Sequence, residues 1–125
     1  MDQVSKRRAV AVVDDDHSVR NATAKLLSFS GYEVHSFSSA EVFLQSDAVA
    51  QVGCLVSDVL MPGMSGLELQ ERLRASGRHI PIIFMTAYPK DGDRARALSS
   101  GAVAFLTKPF DGQVLAALID KLFDA

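Results

Sequence analysis

Extended runs of four to six residues alternate with helix-length segments along the chain, and that rhythm leaves few folds open. The runs are Ala9–Val13, Glu33–Phe37, Cys54–Ser57, Ile80–Met85 and Val103–Leu106. Four are nearly continuous in hydrophobicity, as expected of parallel strands covered on both faces. "EVHSF" at Glu33–Phe37 instead alternates polar with apolar residues, which predicts an exposed edge strand. Parallel strands need crossover connections, and the intervening segments carry helix start signals. Ser38 with Glu41, and Ser65 with Glu68, have capping-box spacing. Asp111 opens a segment whose Val114, Leu115, Leu118, Ile119 and Leu122 share one face. Asp91 to Ser100 has Leu98 as its only large apolar residue, so a loosely held helix is expected there. The pattern predicts one βα-alternating domain over residues 9–125 with a mainly parallel sheet, behind a leader at 1–8.

In such a sheet every strand's carboxyl end lies on one edge, and ligands bind in the crevice outside it. The apolar strands run into "VVDDD", "LVSD", "FMT" and "FLTK". Asp14, Asp15, Asp58, Thr86 and Lys108, remote in sequence, should therefore meet in one pocket. Like charges 4 Å apart repel by about 4 kcal/mol at an effective dielectric near 20, so clustered carboxylates need a counter-charge. Magnesium suits them, because it takes oxygen ligands and is held by one or two carboxylates together with a phosphate. Lys108 adds a point charge and Thr86 a hydroxyl, which with the metal could share the oxygens of a transferring phosphoryl group. Asp58, alone on the central strand, is the natural carboxylate nucleophile. Asp16 precedes a helical segment carrying Val19, Leu26, Leu27 and Phe29, and helix N-cap is preferred for it over metal ligation.

The chain's 48% hydrophobic residues suffice for a core, and a net charge of −2 argues against a domain that grips nucleic acid directly. "KRR" at Lys6 to Arg8 reads as a solvated leader rather than a binding patch. The single cysteine, Cys54, lies in an apolar stretch and reads as a buried, inert thiol. No stretch approaches a membrane span, so a soluble, cytoplasmic protein without membrane contact is expected. His17, His35 and His79 lack metal-ligand spacing, and Met61, Met64 and Met85 read as gap-fillers. "PGMSG" is turn chemistry, without the Lys-Ser/Thr of a phosphate-cradling loop.

The motifs "VVDDD", "VSDVLMPGMSGLEL", "PIIFMTA" and "GAVAFLTKPF", in that order, resemble the receiver domain of two-component response regulators across essentially the whole chain. "DVLMPGMSGLEL" followed by "KPF" is most similar to the FixJ-type branch. The resemblance implies a flavodoxin-like (CheY-like), doubly wound (βα)5 three-layer sandwich with a parallel sheet in the order 2-1-3-4-5. It implies a phosphorelay receiver rather than a conventional enzyme, with Asp58 accepting a phosphoryl group from a sensor histidine kinase. Asp15, Asp58 and the carbonyl of Leu60 would ligate Mg²⁺, and Asp14 would hold it through a water. Thr86 and Lys108 would contact the phosphoryl oxygens, and Lys108–Pro109 would be cis. Phe105 takes the switch-aromatic position, expected to turn inward as Thr86 moves toward the phosphate. The helix after Thr86, the strand of Phe105 and the last helix form the expected output surface, with homodimerisation on phosphorylation. Leu60 and Tyr88 border the phosphoryl position, and their bulk predicts a long-lived phosphoryl state. The branch implies a transcriptional output through a following helix-turn-helix domain, with a stand-alone receiver as the alternative.

Two rival readings use the same residues. "DDDHS" holds a D-x-D-x-S string similar to that of haloacid-dehalogenase phosphatases, which would make Asp14 the nucleophile and leave Asp58 without a role. The other rival is a phosphorylation-independent interaction module on the same fold.

Overall fold

The structure, a computed structural model, describes residues 8–124. Its elements are β1 (Ala9–Val13), α1 (His17–Phe29), β2 (Glu33–Phe37), α2 (Ala40–Gln45), a 3-10 turn (Asp47–Ala50), β3 (Cys54–Asp58), α3 (Gly66–Ala75), β4 (Ile82–Thr86), α4 (Asp91–Ser99), β5 (Ala104–Thr107) and α5 (Gly112–Asp124). The strands form one sheet in the order β2-β1-β3-β4-β5, parallel throughout. The expected three-layer fold and strand order are both present.

Alternation along each strand divides the core in two. Val10 and Val12 of β1 point to one face, with Cys54, Val56, Ile83 and Met85, and are covered by Leu27 of α1 and Leu115 and Ile119 of α5. Ala9, Ala11 and Val13 point to the other face, with Leu55 and Phe84, under Phe43 of α2, Leu69 and Leu73 of α3 and Ala97 of α4. β2 is an edge strand with no fully buried residue, as its sequence alternation predicts. Met61 and Met64 pack half-buried against the second face.

Several boundaries depart from the sequence reading. β4 starts at Ile82 rather than Ile80, because Pro81 has no N–H for the ladder; its carbonyl still accepts from the Leu55 amide at 2.9 Å. β3 and β4 each run one residue further, to Asp58 and Thr86, and β5 is shifted by one. The N-cap of α2 is Ser39, accepting from the Val42 amide, not Ser38. Ser65 and Glu68 do form the reciprocal capping box of α3. Val114 leaves the apolar face of α5 and is 47% exposed, and Phe29 at the end of α1 is 94% exposed. α4 is as weakly seated as expected: Ala97 is its one buried residue, and Leu98 lies at the surface. Of the basic leader triplet, Lys6 and Arg7 lie outside the described residues. Arg8 sits 5.8 Å over the Tyr32 ring and 3.5 Å from Asp124, so it belongs to the fold. No helix among the described residues is long and apolar enough to cross a membrane.

Candidate functional site

Parallel pairing brings the carboxyl ends of β1, β3, β4 and β5 to one edge, and the five pattern-selected residues arrive there together. Asp14 follows β1 directly, its amide donating to the Phe37 carbonyl at 3.1 Å. Its side chain is fully buried and both oxygens are engaged: Oδ1 accepts from the Asp16 amide at 2.9 Å and Oδ2 from Lys108 Nζ at 2.9 Å. Asp16 caps α1 by accepting from the Val19 amide, as its sequence position predicts, and Asp15 between them is exposed. Asp58 ends β3. Its Oδ1 accepts from the Leu60 amide at 3.3 Å and its Oδ2 from Lys108 Nζ at 3.1 Å. Lys108 thus bridges two carboxylates, and its backbone is set by donation from its amide to the Thr86 carbonyl at 2.8 Å. The Lys108–Pro109 peptide is cis.

The Thr86 hydroxyl is buried and accepts from the Tyr88 amide at 3.1 Å. Phe105 lies inward, in the core, its ring centroid 6.4 Å from that of Phe84. Asp14, Asp58 and Thr86 are themselves buried, where the strand pattern places them just beyond the buried residues.

Electrostatics follow from this packing. Three carboxylates, Asp14, Asp15 and Asp58, each bring an oxygen within 4.8 Å of the others. Against one ammonium they leave a formal charge of −2. Burial pushes the Asp58 carboxyl above its ordinary value; Lys108 pulls it down, Asp14 pushes it up, and the net direction is upward. Burial also works against the charged Lys108, but its bonds to Asp14 and Asp58 outweigh that and raise it. A hard divalent cation fits the set: oxygen donors alone, close together, with a charge deficit of matching size. Cys54 is buried as expected, its thiol pushed up to about 12 by desolvation.

Two side chains at the site escaped the pattern reading. Arg20, in the first turns of α1, donates to the Asp14 carbonyl at 2.8 Å. Glu41 of α2 accepts from the Met64 amide at 3.0 Å, across the loop that follows Asp58. Arg20 carries no sequence signal beyond its nearness to the acidic run, and Glu41 reads locally as the partner of a cap at Ser38. Beside Lys108 an open groove of about 520 Å³ runs between α1 and the start of α5, lined by Val19, Ala22, Leu26 and Phe110.

Comparison with known proteins gives the site its context. The family described as response regulator receiver domain matches residues 10–120. Transcriptional regulatory protein FixJ of Azorhizobium caulinodans is 43% identical over 110 residues, which is 88% of this chain and 52% of that protein. Nodulation protein W of Bradyrhizobium diazoefficiens is 43% identical over 113 residues, 90% of this chain and 50% of its own length. The chain therefore spans about half the length of these relatives. Among solved structures, response regulator StyR superposes with a TM-score of 0.85 at 46% identity, covering 93% of this chain and 59% of that one. FixJ-N superposes with a TM-score of 0.80 at 33% identity, covering 93% of each chain. Sheet order, acidic edge and these matches agree: the chain belongs to the response regulator receiver domain family, on its FixJ-like branch.

Proposed function

We propose that the chain is a phosphorelay receiver in which Asp58 takes a phosphoryl group from the phosphohistidine of a sensor histidine kinase. One carboxylate oxygen of Asp58 forms a bond to phosphorus while the phosphorus–nitrogen bond breaks, and the electron pair leaves with the imidazole. The observation that carries this reading is Lys108 Nζ held between Asp14 and Asp58 at 2.9 and 3.1 Å, one cation aimed at the oxygens where charge accumulates. Asp15, Asp58 and the Leu60 carbonyl would hold Mg²⁺ directly, with Asp14 behind a water. When bound, the metal neutralises phosphoryl oxygens and the carboxylates together. The chain's own part is positioning. Asp14 keeps Lys108 charged and extended, the Leu60 amide fixes Asp58 Oδ1, and Thr86 offers a hydroxyl one strand away. The groove between α1 and α5 suits an apolar helix face of the donor kinase.

Output would pass through α4, β5 and α5, with homodimerisation on phosphorylation as the consequence, and without direct nucleic-acid contact. The FixJ relative is a transcriptional regulatory protein, which supports an output in transcription, executed by a further domain in a cytoplasmic protein. The chain assists its own phosphorylation and dephosphorylation without being a conventional enzyme. The phosphatase reading is disfavoured because the Asp14 side chain is fully buried, whereas that of Asp58 keeps some exposure.

Incubation with acetyl phosphate and Mg²⁺ tests the proposal: intact mass should rise by one phosphoryl group, and peptide mapping should put it on Asp58. Asp58→Asn should gain none, and Asp14→Asn should still label at Asp58. No gain in the wild type would favour the phosphorylation-independent module; a phosphoryl group on Asp14 would favour the phosphatase.

A further inference from the structure

We infer that Glu41 is a positioning residue for the metal end of the site: it holds the loop after Asp58 in the shape that presents the Leu60 carbonyl. The inference rests on the proposed Mg²⁺ role of Leu60 and extends it to a helix that contributes no ligand.

The loop Leu60 to Ser65 has little of its own to hold it. Pro62 lacks an N–H. The Leu60 amide is spent on Asp58, and the Ser65 amide on Glu68 within the capping box of α3. Met64 donates to Glu41 Oε2 at 3.0 Å, a bond spanning 23 residues and partly buried. Among the described hydrogen bonds it is the loop backbone's one tie to an element other than β3 and α3, which flank it. Gly63 carries the imprint of the same contact. Its φ of +76° suits glycine, and a Cβ there would lie 2.5 Å from Glu41 Oε2. The carboxylate fills the space a side chain would need, so the loop is folded around it. α2 presents Glu41 rigidly, because Ala40 and Phe43 are buried on either side of it. Groups that orient metal ligands typically affect affinity by about 10- to 100-fold when removed. A clamp on one carbonyl among several ligands belongs at the lower end.

The test is Mg²⁺ affinity by isothermal titration calorimetry, well below the melting temperature. Glu41→Ala should weaken Mg²⁺ about tenfold. Glu41→Asp keeps the charge but shortens the reach and should weaken it comparably. Glu41→Gln keeps reach and an acceptor oxygen and should stay within about twofold. Ser39→Ala removes the cap of the same helix and should leave the affinity unchanged, separating positioning from mere loss of stability. Amide exchange at Met64 should quicken in the Ala and Asp variants and not in the Gln variant. Unchanged affinity in both Glu41→Ala and Glu41→Asp overturns the inference, and so does a Glu41→Gln loss equal to that of Glu41→Ala. Should the Ala variant unfold, the Asp and Gln pair decides alone. If the wild type itself binds no Mg²⁺, the proposed function fails; if it binds, Asp15→Asn does not, and Glu41→Asp binds as wild type, only the clamp is wrong.

Discussion

Lys108→Met isolates the electrostatic core of the site. Its side chain is 13% exposed and touches Asp side chains that are 0% and 10% exposed, so the charges are largely out of water. Methionine keeps the length and apolar stem but leaves three carboxylates with no internal cation. At the 4.8 Å limit of their separation, two such charges repel by about 3.5 kcal/mol at an effective dielectric of 20. Removing one partner of a buried ion pair typically costs about 3–5 kcal/mol, and a site open at one edge belongs near 3. At about 2.1 cal/mol/K per residue, a 125-residue chain has an unfolding entropy near 0.26 kcal/mol/K, so 3 kcal/mol lowers Tm by about 11 °C.

The pH dependence of that deficit is the sharper test. Asp58 already has a raised folded-state pKa, by burial first and Asp14 second, and losing Lys108 raises it further. A carboxyl shifted this way contributes stability that is fully present below its unfolded value, near about 3.9, and lost as pH rises through the folded one. The Lys108→Met deficit should therefore be larger at pH 8 than at pH 5, because proton uptake by a carboxyl with a raised pKa relieves the repulsion as pH falls. Calorimetric scans in EDTA at both pH values check this, and saturating Mg²⁺ at pH 8 should recover much of the loss. Equal deficits at the two pH values, or a variant as stable as wild type at pH 8, would refute the reasoning.

Other outcomes follow from the same structure. Mg²⁺ at a hundred times its dissociation constant should stabilise the wild type by about 2.7 kcal/mol, raising Tm by about 10 °C; at matched ionic strength Asp15→Asn should lose that shift in thermal scans. Leu60 and Tyr88 flank the site as exposed bulk, so Leu60→Asn and Tyr88→Glu should each hasten phosphate release about tenfold by admitting water; a phosphate-release time course as slow as wild type in both would discard that barrier. Cys54, with its thiol pushed up to about 12 by burial, should resist thiol reagents at pH 8 in the folded chain and react once denaturant is added.

The architecture was legible because burial on both faces writes itself locally: Ala9–Val13 and Cys54–Val56 are apolar without interruption, and the carboxylates stand where the apolar residues stop. What stayed hidden depends on distant partners. Full burial of Asp14 is affordable only because Lys108, 94 residues on, supplies a cation, and no window of sequence contains both. Glu41 had the right spacing for a cap at Ser38, and the local rule concealed that its oxygen reaches Met64 instead. Helical periodicity puts Val114 at the margin of the apolar face of α5, about 100° round from the fully buried Leu115, and there it is exposed.

The arrangement also sets an energy scale for the proposed switch. As it stands, the Thr86 hydroxyl is bonded to the Tyr88 amide and Lys108 to two carboxylates. A phosphoryl group on Asp58 offers both side chains acceptors of higher charge, and charge-assisted hydrogen bonds contribute about 1.5–3 kcal/mol each. Two such bonds supply about 3–6 kcal/mol, and moving an equilibrium from 1:99 to 99:1 takes about 5.5. The opposing cost must then be small, and α4 is where it is small. One buried alanine seats the helix, with the Gln70 amide on the Ala97 carbonyl at 3.1 Å and the Arg96–Glu71 ion pair at its surface. In the proposed switch Thr86 would turn to the phosphoryl group and release the Tyr88 amide, and Tyr88 to Lys90 is the stretch that leads into that helix. A better-anchored α4 would exceed what two hydrogen bonds can offset, so the proposed switch would require the weak amphipathicity of Asp91–Ser99.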